Sequence, residues 1–141
     1  MSTLEKNKSP SQEQIRDILG HYQAGRLNDA EKLAISISQE FPNHQFAWKV
    51  LGVIFGQTGR NSEAVHANQT AVSLSPQDAL AHSNLGNVLK AQGRLDEALA
   101  SYKQAIALKP DFAEAHYNLG NEVKAKGRLE ETTTKYKQAI A

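Results

Sequence analysis

The chain has 141 residues, with 16 lysines and arginines against 15 acids and a formal net charge of +1, which gives no electrostatic reason to expect nucleic acid or an anionic membrane as partner. It has no cysteine, which excludes disulfides and thiolate metal sites. No apolar run approaches the ~18 residues that span a bilayer, and 40% apolar with 22% charged residues suits a folded chain rather than a disordered one.

The first element is a polar segment, residues 1–9, that reads as flexible. Its opening MSTLEKNKSP lacks the apolar stretch of a secretory signal, so the expected setting is cytoplasmic. Ser9, Pro10 and Gln12 mark a helix start, with proline at the first helical position.

From there the chain repeats itself every 34 residues. NLGNVLKAQGRLDEA (84–98) and NLGNEVKAKGRLEET (118–132) agree at ten of fifteen positions. Pro42, Pro76 and Pro110 keep the same step, as do Gly25, Gly59, Gly93 and Gly127, each followed by arginine. So do Ala30, Ala64 and Ala98, and the Leu-Gly pairs at Leu51, Leu85 and Leu119. Four units follow: 11–44, which is degenerate, then 45–78, 79–112, and an incomplete 113–141. Together they form one repeat domain, 10–141.

Within a unit the period is helical. His82, Leu85, Gly86 and Leu89 fall on one helix face. Gly93-Arg94 breaks that helix, and Leu95, Ala98, Leu99, Tyr102, Ala105 and Ile106 form a second stripe. Pro110 follows the second helix, and Asp111 with Glu114 reads as a capping box for the next. Each unit is therefore a helix–turn–helix without strand signals. Gly86 and Ala98 are small where two helices would cross. A lone hairpin cannot bury both stripes, but stacked neighbours can.

These residues resemble the tetratricopeptide repeat. Trp48, Leu51, Gly52, Phe55, Gly59, Ala64, Ala71 and Pro76 follow its pattern, as do Leu85, Gly86, Gly93, Ala98, Tyr102, Ala105 and Pro110, then Leu119, Gly120, Gly127, Tyr136 and Ala139. Ile18 departs from it where other units have glycine, which predicts a splayed or capping first pair. Asn68 replaces the aromatic of the second unit, and Thr132 replaces the small alanine, predicting a looser last helix. The resemblance implies an all-α solenoid, a right-handed superhelix whose groove binds extended peptides or short helices.

At 100° per residue, Leu80, Asn84, Asn87 and Ala91 point away from the stripe of His82 and Leu85. Glu114, Asn118, Asn121 and Ala125 are their equivalents. Asparagine is a poor helix-interior residue, yet its amide offers both a donor and an acceptor to a peptide backbone. The candidate peptide-binding residues are therefore Asn84, Asn87, Asn118 and Asn121, flanked by Lys90 and Lys124, with Lys49 added from the second unit. A solvated polar face is the plainer alternative. The pattern is similar to the asparagine ladder of O-linked N-acetylglucosamine transferase repeats, but incomplete: Val50 and Val53 stand in the second unit, Arg16 and Leu19 in the first. A clamp for an acidic chaperone C-terminus would need cations where Glu114 and Asn118 stand.

No catalytic, cofactor-binding or metal-ligating constellation is present. His82 and His116 share the column of Trp48 and read as packing residues, and no phosphate loop or nucleophile motif appears. The expected function is a non-catalytic module binding a protein or peptide. The alternatives are a substrate-recruiting arm of a larger enzyme, such as a glycosyltransferase, and a self-assembling unit. The last unit leaves Tyr136, Ala139 and Ile140 without a successor. That predicts either a fragment of a longer protein or a homodimer through this end.

Overall fold

A computed structural model describes residues 9–140, so all but Ser9 of the segment expected to be flexible lies outside the described residues. Among these there are seven helices and no strand: α1 (Gln12–Gln23), α2 (Leu27–Glu40), α3 (Gln45–Gln57), α4 (Asn61–Leu74), α5 (Ala79–Ala91), α6 (Leu95–Leu108) and α7 (Ala113–Ala139). They fall into two compact units, divided between Gln77 and Asp78. In the first, α1 packs on α2, α2 on α3 and α3 on α4; in the second, α6 packs on both α5 and α7.

The hairpin turns have a common physical cause. Gly25, Gly59 and Gly93 take φ of +78°, +76° and +75°, a conformation that a Cβ penalises. The next N–H, that of Arg26, Arg60 or Arg94, then reaches back to the carbonyl of His21, Phe55 or Leu89 at 2.9 Å. This bond closes the helix end in a Schellman motif.

Helix starts are less regular than the sequence suggests. Ser11, not Ser9, caps α1, forming a capping box with Gln14 in place of the one expected with Gln12. Pro10 lies outside the helix and is buried. Asp78 caps α5 by accepting from the Ala81 N–H at 3.2 Å. The box expected of Asp111 and Glu114 does not form: α7 begins after Phe112 without a side-chain cap.

Close crossings hold each hairpin together. A Cβ added at Gly86 would stand 2.6 Å from the Tyr102 ring, and one at Gly52 would stand 2.6 Å from the Asn68 amide. Asn68 is buried in the aromatic's place and satisfies its Nδ2 on the Ala64 carbonyl at 2.8 Å. In the first hairpin the sizes exchange helices. Ile18 and Ala34, the equivalents of Gly86 and Tyr102, are both fully buried. Ile18 is thus buried between α1 and α2, which pack less closely than the helices of the next two hairpins, in keeping with a splayed pair.

The buried positions of α5 are Ala81, Ser83, Gly86, Val88 and Leu89, while His82 and Leu85 are half-buried. The expected stripe is therefore broadened and rotated, because α5 touches both α6 and α7. Leu51 on α3 is buried, whereas Leu119 on α7 is half-buried like Leu85.

The largest departure is the fourth repeat. Gly127-Arg128 does not turn the chain, and α7 runs through it for 27 residues. A glycine kept helical costs only about 1 kcal/mol relative to alanine. The turn forms only where the second helix gains a good seat. Ala30, Ala64 and Ala98 have no accessible surface at that seat, and the larger Thr132 replaces them.

Candidate functional site

The second unit carries six of the seven candidate residues. Asn84, Asn87 and Lys90 lie on α5; Asn118, Asn121 and Lys124 lie on α7. The four asparagines are half-buried and the two lysines exposed, beside exposed Leu80, Ala91 and Glu114. Lys49 belongs to α3 in the first unit and is half-buried. By the repeat it stands in the column of Ser83, next to the asparagine column of Val50 and Asn84 rather than within it.

The structure brings two of the asparagines into contact. Asn118 donates from Nδ2 to the Asn87 side-chain oxygen at 3.2 Å. The Tyr102 hydroxyl donates to the same oxygen at 2.6 Å. Both acceptor sites of that oxygen are thereby used, which fixes the orientation of the amide. Asn87 then has only N–H donors left to offer, while Asn118 keeps its own carbonyl oxygen. Donor and acceptor stand side by side, as a peptide group requires.

Tyr102 is the anchor of this arrangement. Its side chain is fully buried against Gly86. Burial, helped by the negative charges of Glu122 and Glu114, pushes its hydroxyl up to about 12, so it remains a donor through the neutral range. The sequence identifies Tyr102 as core but not as the residue that orients Asn87.

Glu122 was missed altogether. It is 2% exposed, with Oε1 3.4 Å from Lys90 Nζ. Its Oε2 is buried without a hydrogen-bond partner. The signal lies in the repeat, where Glu122 interrupts an apolar column that holds Ile54 and Val88. Lys90 is thus tied to an acid beneath it rather than held only for a ligand. Lys126, two residues past Lys124, pairs with Asp96 at 2.8 Å.

The Trp48 column does not serve as buried packing throughout. Trp48 donates from Nε1 to the Pro42 carbonyl at 3.0 Å. Exposed His116 holds the equivalent Pro110 carbonyl through Nε2 at 2.8 Å. Both latch a helix to the loop before it. Among the described residues no group of three histidines or acids is placed to hold a metal ion, and no helix is long and apolar enough to cross a membrane.

The family model described as TPR repeat matches residues 52–93 and 86–123, together just over half of the chain. The chain belongs to the tetratricopeptide repeat family. Among solved structures, a mutant form of Thermobaculum terrenum O-GlcNAc transferase is 28% identical, with a TM-score of 0.71, over 81% of this chain and 23% of that one. The chain therefore spans about a quarter of that transferase. MamA is 25% identical, with a TM-score of 0.77, over 90% of this chain and 74% of that one. The first TPR of Spaghetti (RPAP3), bound to the HSP90 peptide SRMEEVD, shares the fold at 19% identity and a TM-score of 0.79, over 84% of this chain and 97% of that one. Among curated protein sequences none matches significantly.

Proposed function

We propose that this chain is a non-catalytic interaction module that binds an extended peptide along the asparagine-bearing face of α5 and α7. The observation that carries the reading is the oriented amide pair, Asn118 on Asn87 on Tyr102. A held donor beside an open acceptor suits a peptide backbone, and needs no particular side chain in the ligand. Asn84 and Asn121 extend the row, and Lys90 and Lys124 supply positive charge at its flank. Lys49 is proposed as a peptide contact of the first unit by itself. The ligand is a protein segment rather than nucleic acid or lipid, in keeping with the net charge of +1. No cofactor takes part, and the setting is the cytoplasm.

Spaghetti and the second TPR domain of human RPAP3 were solved with HSP90 and HSP70 peptides ending in EEVD. Glu114 and Asn118 stand where a clamp for such an acidic end needs cations, so this chain should select other peptides. Selection from a random peptide library displayed on phage tests this. The reading expects enriched sequences whose affinity falls at least tenfold with Asn84→Ala plus Asn118→Ala, and no binding of SRMEEVD. Enriched peptides that bind the double variant equally well would remove the asparagine role.

A second reading, a substrate-recruiting arm of a larger enzyme, is favoured by the likeness to a transferase of about four times the span. A stop codon directly after Ala141 in the gene would remove it. The open face of α7 supports self-association, which bears on the same groove because Asn121 lies on that helix.

A further inference from the structure

We propose that the carboxylate of Glu122 is a specificity subsite of the groove, which takes the guanidinium of an arginine in the bound peptide in exchange for Lys90. The proposal rests on the reading of the α5 and α7 amides as a peptide site, and names the side chain that this site selects.

Glu122 is an unusual core residue. It stands at 2% exposure in the column of Ile54 and Val88, where a buried charge costs stability unless its lone pairs are satisfied. Oε1 meets the Lys90 ammonium at 3.4 Å, longer than a charge-assisted hydrogen bond of about 2.8 Å. Oε2 is buried without a hydrogen-bond partner. The amine comes from the solvent side, being 44% exposed, and its flexible stem lets it swing away.

The carboxylate also lies where a ligand side chain would arrive. Glu122 follows Asn118 on α7 by one helical turn, about 6 Å, and Lys90 follows Asn87 on α5. The Asn118–Asn87 and Glu122–Lys90 contacts are therefore successive rungs between the same two helices. A peptide backbone seated on the first rung brings a long side chain over the second. Glu114 lies one turn before Asn118 and is exposed. Both acids act on the Tyr102 hydroxyl, which holds Asn87, so negative charge stands on either side of the amide pair.

Arginine fits this carboxylate better than lysine. A planar guanidinium donates two parallel N–H bonds, one to each oxygen. A lysine would only repeat the contact with one oxygen that Lys90 already makes. The exchange keeps the buried acid neutralised and releases Lys90 to the flank of the groove.

The test is a double-variant cycle. Peptides are selected from a random phage library on the unaltered 141-residue protein. The tightest is then made with its arginine and with neutral citrulline in the same place. Each form is titrated into the unaltered chain and into Glu122→Gln, which keeps the shape and removes the charge. The expected results are an arginine at one fixed position of the selected peptides, and a citrulline loss of about tenfold or more in the unaltered chain that disappears in Glu122→Gln. Selected peptides that lack a fixed arginine, yet weaken with Asn84→Ala plus Asn118→Ala, overturn the subsite and leave the groove standing. An equal citrulline loss in both proteins overturns it too. Peptides whose affinity ignores both the asparagines and Glu122 overturn the groove reading together with the subsite.

Discussion

The Tyr102 ring lies over Gly86, so that a methyl group there would stand 2.6 Å from the ring edge. Tyr102 is fully buried and cannot swing aside. Gly86→Ala should therefore destabilise the fold by about 1–3 kcal/mol through overpacking, although alanine is the better helix former. Urea unfolding measures this, and an unchanged midpoint would contradict the crossing.

The same tyrosine sets an alkaline limit. Its hydroxyl, ordinarily near 10.0, is pushed to about 12 in the folded chain. Below pH 10 both states keep the proton, and the full stability is present. Between pH 10 and about 12 only the unfolded chain loses it, so stability falls as pH rises. Tyr102→Phe should flatten that fall. At neutral pH it should also cost about 0.5–1.5 kcal/mol, from the lost bond to Asn87. Unfolding midpoints measured across this range check both effects.

Glu122 and Lys90 make an asymmetric pair, the acid buried and the amine 44% exposed. Glu122→Val restores the column of Ile54 and Val88 and should stabilise by about 1–4 kcal/mol, as replacing buried ion pairs often does. Lys90→Ala instead leaves the acid alone and should destabilise by about 1–3 kcal/mol. Thermal melts moving the same way for both variants would contradict this arrangement.

Core leucines should separate by burial. Leu51, at 3% exposure, should lose about 2–5 kcal/mol on replacement by alanine. Half-buried Leu85 should lose clearly less. Equal losses in parallel urea titrations would contradict the rotated stripe of α5.

Much of the fold could be read from the sequence because its signals are local. A glycine that must take positive φ, followed by arginine, marks each of three turns, and helical spacing marks the faces. Gly127 carries the same signal without the turn, because a turn is paid for by tertiary packing that Thr132 weakens. Glu122 was legible as a break in a column of aliphatic residues. The Asn87 contacts were not, since they join residues 15 and 31 positions away through a crossing that spacing alone does not specify. The half-buried state of Leu85 was also hidden, because a stripe centred on one direction does not reveal a helix packed on two neighbours.

The central claim is that the amides of α5 and α7 hold a peptide. Calorimetric titration of a phage-selected peptide into the unaltered chain and into the variant with Asn84→Ala and Asn118→Ala tests it most directly. The account predicts at least a tenfold loss of affinity, with only the small drop in melting temperature that loss of the Asn118–Asn87 bond brings. Equal affinity in both proteins would contradict it.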